Sequence, residues 1–591
     1  MTMTADALEA LKRAGLSRRR FLKGAGALVV SFTAAPLVER VVVAQGPSDT
    51  PGQEIDPEQL DSWIAVAADG TVTAYTGKCE LGQGIYTVQT QLIAEELDVP
   101  LSRVRLIQCD TSLSPDQGGT SGSRSTPTNF NDRNLALAGA TARETLLRLA
   151  AKQLAVPVDQ LAVADGLVSA KADSSKRVSY GELVAGRKFE IPLSNTAKRK
   201  PPGEWKILGT SVPRVDMPAM VTGQLEYVHN VRVPGMLHGR VVRPPAVGAT
   251  LVEVDESSVR DLPGLVTVVV NKSFVGVVAE REWQAIQAAK ALKVTWTPGS
   301  GLPSQRDYLE RLRNATPSRD GFVVSSKDVD ETLARATTVL DATYLHPFQM
   351  HGSIGASCAV ADVQDPMVTI WSTTQSVYAL RSSTAMLLSR PVENIRVVFT
   401  RGAGCYGLNG ADAVSYDAAL LSQAAGKPVR VLLSRMDEMA WENFGSAYVI
   451  DQRVGVDADG AIVAWDHESW SPRLGGRPGG ERPGNVVTGA LVGFEPNVVT
   501  AQRATDPERF RNGSNAVPSY AAGCVGGTCG GTGRVKSERV LTHSVGSPLF
   551  TGPLRSPSRL QNTFAHESFM DEVAARGQGG PGGISAAASP G

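Results

Sequence analysis

The sequence lacks three features that would each assign it to a class of protein. Its 591 residues include only six cysteines, and no two of them form a C-x-x-C pair. Iron–sulfur clusters and structural zinc sites need closely spaced thiolates, so we expect neither in this chain. Lys plus Arg and Asp plus Glu both number 59, and such a neutral chain has no electrostatic footprint for nucleic acid. No segment has 18 unbroken apolar residues, so we expect no stable membrane span.

The composition that remains is that of a globular protein rich in turns. Hydrophobic residues make up 42% and charged residues 20%, which is too apolar for a disordered chain. The 59 glycines and 35 prolines indicate many turns and close backbone contacts rather than a helical bundle. The length corresponds to roughly four domains.

The first 44 residues are predicted to be a twin-arginine signal peptide. Residues 17–23 read SRRRFLK, an apolar stretch covers 24–37, and small residues near 42–44 suit cleavage. A basic amphipathic helix is the alternative interpretation. The twin-arginine route carries proteins already folded around a cofactor, so we expect a periplasmic protein that is loaded before export.

Hydrophobic periodicity predicts a mixed α/β fold. Alternating residues predict a hairpin at 63–66 and 72–75, and similar runs predict strands from 237 to 296 and from 357 to 433. Helical spacing predicts helices over 85–97, 135–154, 283–292, 376–388, 411–425 and 564–575. The sequence after 575 is low in complexity.

Residues 402–407 read GAGCYG and satisfy G-x-G-x-x-G between a predicted strand and a predicted helix. That context is typical of a dinucleotide-binding loop, in which backbone N–H groups hold phosphate at a helix N-terminus. It is equally typical of a tight turn. On local grounds an NAD-dependent dehydrogenase therefore stays open.

Other loops combine small residues with amide or hydroxyl side chains: Gly82-Gln83-Gly84, 118–125 (GGTSGSRS) and 372–375 (STTQ). Small residues allow close approach of the backbone, and Gln can both donate and accept hydrogen bonds. Such loops suit a pterin ring and its phosphate, although each alone is more often a turn.

Together and in this order, the loops resemble those of the molybdenum-hydroxylase large subunits, the xanthine dehydrogenase and aldehyde oxidase family. The nearest subgroup is the isoquinoline 1-oxidoreductase beta subunit or molybdopterin-binding aldehyde dehydrogenase type. The similar stretches are 77–100, 110–126, 221–245, 369–377, 402–413 and 552–572. The resemblance implies molybdopterin-binding portions at 45–205 and 338–575, an α/β hammerhead domain at 206–300, a linker at 301–337 and a tail at 576–591 that is foreign to the family.

The resemblance also implies a molybdopterin cofactor with molybdenum, as the cytosine dinucleotide. It implies a role for Gln375 as hydrogen-bond partner of the metal's oxo group, and no protein side chain as a metal ligand. The other residues implied to bind the cofactor are Gly82, Gln83, Gly84, Gly122, Ser123, Ser125, Gly404, Cys405, Tyr406, Gly407 and Arg555. The implied reaction is hydroxylation of an aldehyde or N-heterocyclic aromatic compound with water as oxygen source. The implied partners are a small [2Fe-2S] subunit and a periplasmic cytochrome.

Two departures from the family pattern limit what the resemblance implies. The glutamate that orients purines is absent after the glycine loop, where residues 408–410 read LNG, so we do not expect a purine substrate. The family's glutamate base lies in a further C-terminal domain, and neither Glu80 nor Glu567 matches it. Loss of a positioned base typically costs about 10²–10⁴-fold in rate. We therefore expect a truncated chain, and a non-catalytic remnant that only holds the cofactor is the alternative.

Overall fold

The structure is a computed structural model of the chain. It describes residues 55–120, 125, 129, 134–317, 319–408, 411–476, 482–496, 520–521, 524–525, 535, 537–557 and 559–576. The predicted signal peptide, the tail from residue 577, and Gly122 and Ser123 of the predicted site lie outside these residues.

The N-terminal part is a three-stranded sheet covered by two helices. Its elements are β1 (Ile64–Val66), β2 (Val72–Thr76), α1 (Ile85–Leu97), β3 (Val104–Gln108) and α2 (Leu135–Leu154). The predicted hairpin is confirmed, since Ile64 lies opposite Ala74, and β3 runs parallel to β2. Apolar residues at helical spacing, such as Leu92 and Leu146, pack both helices onto this sheet.

A small antiparallel sheet follows, and it was not predicted. It consists of β4 (Leu161–Ala164), β5 (Leu167–Ala170) and β6 (Arg177–Ser179), followed by α3 (Tyr180–Val184). The Ser179 hydroxyl accepts from the Glu182 N–H, and the Glu182 carboxylate accepts from the Ser179 N–H. This capping box fixes where the short helix begins.

Residues 206–300 form the strands predicted for the hammerhead domain. The elements are α4 (Met217–Val221), β7 (Leu237–Val242), β8 (Leu251–Asp255), β9 (Leu265–Asn271), β10 (Phe274–Ala279), α5 (Glu282–Ala291) and β11 (Lys293–Trp296). β10 pairs antiparallel with both β7 and β9, while β8 and β11 form a separate ribbon. Val275, Val277 and Ala288 form the buried contact between the sheet and α5.

The segment predicted as a linker, 301–337, is folded. It contributes α6 (Tyr308–Asn314), β12 (Arg319–Ser325) and α7 (Val329–Arg335), and β13 (Thr338–His346) follows. β12 pairs antiparallel with the distant strand Ser537–Gly546. The segment expected to be a linker therefore contains secondary structure, and β12 gains its partner from far along the chain.

Residues 357–441 complete the central sheet. Their elements are β14 (Cys358–Val363), β15 (Val368–Ser372), α8 (Val377–Leu388), β16 (Ile395–Phe399), α9 (Ala411–Ala425), β17 (Val429–Leu432) and α10 (Arg435–Trp441). The strand order is β16-β15-β14-β17-β7-β10-β9. β17 runs parallel to β7, with Val429 opposite Leu237, so the predicted hammerhead strands and the predicted C-terminal domain share one sheet.

The C-terminal part is a five-stranded sheet that packs against the last helix. It adds β18 (Tyr448–Val456), β19 (Ile462–Arg473), α11 (Val487–Leu491), β20 (Tyr520–Ala521), β21 (Cys524–Val525), β22 (Ser537–Gly546) and α12 (Arg559–Arg576). The order is β12-β22-β19-β18-β13, and Phe569 of α12 packs edge-on against Trp465. Within the described ranges, no helix combines the length and apolar character needed to cross a bilayer.

A buried ion pair joins the hammerhead strands to α9, and its loss should destabilise the fold. Arg243 Nη2 lies 2.6 Å from Asp417 Oδ2, with side chains 5% and 0% exposed, and the Thr488 hydroxyl also donates to Asp417. Arg243→Met should lower the free energy of unfolding by about 3–5 kcal/mol, because it leaves a buried carboxylate unpaired. Urea unfolding would measure this. Replacing both partners, Arg243→Met with Asp417→Leu, should restore much of the loss, and equal losses in both variants would contradict the argument.

Candidate functional site

Three loops that follow β2, β3 and β15 meet at Thr120. Its hydroxyl accepts hydrogen bonds from the Cys79 N–H at 3.0 Å and from the Cys79 thiol at 3.2 Å. Its own N–H donates to the carbonyl of Gln375 at 2.7 Å. Thr120 is fully buried. Thr120 therefore joins the three loops through its hydroxyl and its backbone N–H. The predicted site residues included its neighbours but not Thr120 itself.

The polar side chains around Thr120 form hydrogen bonds within the loops themselves. The buried Lys78 ammonium donates to the Gly119 carbonyl at 2.9 Å, and burial lowers the pKa of Lys78. The Gln117 side-chain oxygen accepts from the Gly77 N–H at 2.7 Å and from the Thr76 hydroxyl at 2.8 Å. The Lys78 and Gln117 side chains therefore stabilise the loops and do not face a ligand.

The Glu80 carboxylate organises the Gly82-Gln83-Gly84 turn. From the sequence, Glu80 was considered only as a possible catalytic base, and it did not match one. Glu80 is buried and accepts from the N–H groups of Gly82, Gly84 and Tyr86 at 2.7, 3.0 and 2.9 Å. These N–H groups lie at the start of α1, where the helix dipole favours negative charge. Glu80 thus supplies a negative charge at the start of α1 from within the chain.

The Gln83 side chain also forms hydrogen bonds within its own loop. Its oxygen accepts from the Leu81 N–H at 2.6 Å, and its amide nitrogen donates to the Cys79 carbonyl at 3.0 Å. A contact of Gln83 with a cofactor stays a prediction. Neither Gln83 nor Gly84 lies among the residues that line the cavity described below, but Gly82 does.

The glycine loop at 402–407 is tied to the chain around residue 554. Gly404 and Gly407 have φ angles of 132° and 139°, which L residues rarely adopt. Gly407 pairs with Leu554 in an isolated bridge, and a Cβ atom at this position would overlap the Pro553 carbonyl. Glycine is therefore required here by both backbone angle and space.

Arg555, predicted to face the cofactor, closes over the same loop. Its N–H donates to the Tyr406 carbonyl at 2.7 Å, and its guanidinium lies 4.2 Å from the centre of the Tyr406 ring. A further hydrogen bond of 3.0 Å joins its Nη2 to the carbonyl of His351. The residue is exposed. Arg555 thus reaches the site through Tyr406 instead of lining the cavity.

The topology around residues 402–407 differs from a dinucleotide fold. Dinucleotide sites place phosphate at a helix that begins directly after the loop and connects neighbouring parallel strands. Here two strands, β15 and β14, separate β16 from β17, the strands before and after α9.

The glycine loop and the start of the GQG turn enclose a cavity of about 250 Å³. It is lined by Glu80, Leu81, Gly82, Arg214, Met220, Tyr227, Thr373, Phe399, Arg401, Gly402, Gly404, Cys405 and Tyr406. The structure therefore brings together the predicted residues Gly82, Gly404, Cys405 and Tyr406. Phe399 and Arg401 also line a second, more open cavity of about 630 Å³.

Charged residues that the sequence did not indicate stand between the two cavities. Asp216 Oδ2 lies 2.8 Å from Arg214 Nη2 and 2.6 Å from Arg401 Nη1. The hydrogen bonds from these guanidinium groups, mainly from Arg214, lower the pKa of Asp216 to about 2. The position of Arg401 directly before the glycine loop was the one signal that pointed to it.

Gln375 provides the test of whether the site suits a bound cofactor. Its backbone carbonyl is held by Thr120, while its side-chain oxygen is buried without a hydrogen-bond partner among the residues that the structure describes. Buried polar atoms are normally paired, so this oxygen fits a site completed by another group. The space in front of Gly82 also suits a bound group, since a Cβ atom there would meet no atom within 4 Å.

Ser125, which was also predicted to bind the cofactor, is buried, and its carbonyl accepts from the Asn129 amide at 2.7 Å.

Removing the Thr120 hydroxyl should loosen the junction of the loops. Thr120→Val keeps the shape but leaves the buried Cys79 N–H unpaired, which costs about 1–3 kcal/mol. Chemical denaturation would measure the loss, and hydrogen exchange at the Cys79 amide should accelerate. Thr384→Val is the matched control. Its hydroxyl is buried and has no hydrogen-bond partner within the described part of the chain, so its loss should be neutral or stabilising. A Thr120→Val protein as stable as the control would contradict the assignment.

The GQG turn and the glycine loop, which line the smaller cavity, lie in two segments that match known protein families. Residues 12–216 and residues 314–474 each match a molybdopterin cofactor-binding domain. The second match contains the GAGCYG loop, so it confirms the molybdopterin interpretation and gives no support to the nicotinamide alternative. The mixed α/β fold expected from the resemblance is confirmed.

Two similar proteins are named for oxidation of N-heterocyclic compounds. A nicotinate dehydrogenase chain of Pseudomonas putida is 38% identical over 94% of this chain and 44% of its own length. The beta chain of isoquinoline 1-oxidoreductase of Brevundimonas diminuta is 28% identical over 78% of this chain and 65% of its own. Among solved structures, carbon monoxide dehydrogenase of Oligotropha carboxidovorans aligns with a TM-score of 0.49 at 17% identity, over 64% of this chain and 50% of that one. The chain thus spans less than two thirds of these relatives, and through its two matched domains it belongs to the molybdopterin-binding large subunits of the xanthine dehydrogenase and aldehyde oxidase family.

Proposed function

We propose that the chain is the molybdopterin-binding part of an oxidoreductase that hydroxylates an N-heterocyclic aromatic compound, with an aldehyde as the second candidate substrate class. The observation that carries this proposal is the cavity of about 250 Å³, which is lined by residues of both matched cofactor domains. Two of the relatives are named for N-heterocyclic compounds, nicotinate and isoquinoline. The higher identity of the nicotinate dehydrogenase chain, 38% against 30% for an aldehyde dehydrogenase of Gluconacetobacter polyoxogenes, places the heterocycle before the aldehyde.

The residues that would hold the cofactor lie on the glycine loop and at Gln375. A molybdenum–pterin centre, when bound, supplies two-electron oxidation coupled to transfer of an oxygen derived from water. The Gln375 backbone is held by Thr120, and the NH2 group of its side chain could donate a hydrogen bond to the cofactor. Cys405 and Tyr406 form one wall of the cavity, and the Arg555 guanidinium covers the Tyr406 ring.

Glu80 cannot serve as the proton acceptor while it holds the GQG turn. Its carboxylate already accepts three backbone N–H bonds and lies 3.4 Å from Arg214 Nη2. We therefore assign binding and positioning of the cofactor to the described residues and assign no base among them.

The partners and the location are proposed from the sequence. The cofactor is proposed to be the cytosine dinucleotide form of molybdopterin. A small [2Fe-2S] subunit would receive the electrons, because the six cysteines do not form a cluster motif, and a periplasmic cytochrome would accept them next. The twin-arginine pattern at 17–23 supports export to the periplasm.

Metal and nucleotide analysis of the protein from its native source tests the proposal. We expect a stoichiometric amount of molybdenum, fluorescent pterin after oxidation, and cytidine monophosphate after acid hydrolysis. Nicotinate-like heterocycles and aromatic aldehydes, supplied with an artificial acceptor, would identify the substrate class. Absence of both molybdenum and pterin would overturn the proposal, whereas bound cofactor without turnover would point to the non-catalytic remnant.

Substitution of Gln375 should reduce turnover more than it reduces stability. Gln375→Ala removes a preorganised hydrogen bond, and the loss of such a group typically lowers kcat by about 10²–10³-fold. Steady-state kinetics and molybdenum content per chain would be measured together. Gln364→Ala is the control, because that glutamine is exposed in a turn of the same sheet and its loss should leave kcat unchanged.

A further inference from the structure

Four charged side chains form a continuous network along one side of the smaller cavity. Glu80 Oε1 lies 3.4 Å from Arg214 Nη2, and Asp216 then bridges Arg214 and Arg401. The Arg401 guanidinium in turn lies 5.2 Å from the centre of the Tyr86 ring, on the first turn of α1. Two carboxylates balance two guanidinium groups, so the network carries no net formal charge.

The network links the two loops that enclose the cavity. Glu80 holds the N–H groups of Gly82 and Gly84, and Arg401 directly precedes Gly402 of the glycine loop. Glu80, Arg214 and Asp216 belong to the first family match, and Arg401 belongs to the second. The ion pairs therefore connect the two cofactor domains at the point where the cavity lies.

The network is shielded enough for its charges to interact strongly. The side chains of Glu80 and Asp216 are 1% and 4% exposed, and those of Arg401 and Arg214 are 13% and 28% exposed. Charge-assisted hydrogen bonds in such surroundings are about twice as strong as neutral ones. Both guanidinium groups would repel one another if the carboxylate between them lost its charge.

We propose that Asp216 is a positioning residue: it holds the two loops at a fixed separation and so determines how fast the molybdopterin cofactor leaves the protein. Asp216 lines the larger cavity, Arg214 lines the smaller one, and Arg401 lines both. Movement of Arg401 away from Asp216 would therefore open the smaller cavity towards the larger one. This inference rests on the proposed function, because it concerns retention of that cofactor.

The test compares Asp216→Asn with Asp466→Asn in the full protein. Asp466 is the matched control because it too bridges two arginines, Arg453 at 3.0 Å and Arg539 at 2.7 Å, but lies in the five-stranded sheet. The release of pterin and molybdenum from loaded protein would be followed over time at one temperature. We expect at least a tenfold faster release from Asp216→Asn and wild-type release from Asp466→Asn. Asp216→Glu, which keeps the charge, should restore part of the retention.

A second readout does not need the cofactor. In cofactor-free protein, Asp216→Asn should accelerate amide exchange in both 82–86 and 402–407, whereas Asp466→Asn should leave these segments unchanged. Wild-type release and exchange in Asp216→Asn, or equal acceleration in both variants, would overturn the inference. Wild-type protein that never contains molybdenum or pterin would overturn the proposed function instead, and the exchange measurement would still decide the role of Asp216 in loop spacing.

Discussion

The contact of Thr120 with Cys79 and Gln375 is the constraint on which the geometry of the site depends. It joins loops that belong to two separate cofactor-domain matches. The same boundary carries the ion pair of Asp110 with Arg396, in which Nε lies 3.0 Å from Oδ1. Since these groups are buried or half-buried, the loops of one domain cannot shift without breaking polar contacts with the other. These contacts between the two domains therefore determine the shape of the cavity.

Local sequence patterns were sufficient to predict helices that are determined by residues close together in the sequence. The helix at 135–154 and the helix at 85–97 were predicted with the bounds that the structure has, because each shows an apolar face at helical spacing. Pairing between distant strands could not be predicted in this way. The alignment of Val429 with Leu237 joins two predicted domains in one sheet, and no pattern within either strand specifies its partner or register.

The candidate site shows the same division between local and distant information. Gly404, Cys405 and Tyr406 were predicted because their motif is continuous in the sequence, and the structure places all three on one cavity. Asp216 and Arg401 were missed because they are 185 residues apart and become partners only after folding. Isolated charged residues are common on protein surfaces, so no local pattern distinguishes these two from the rest.

The two glycine-containing loops, which look alike in sequence, have different physical roles. The start of α1 is a natural site for an anion, and Glu80 supplies that anion from within the chain. An external phosphate would have to displace a buried carboxylate that also faces Arg214. In the glycine loop at 402–407, by contrast, the Tyr406 carbonyl accepts from the Arg555 N–H and Gly407 pairs with Leu554, while the other side of the loop faces the cavity. Recognition of the cofactor is therefore expected to depend on the second loop, while the first serves as the fixed wall against which that loop is positioned.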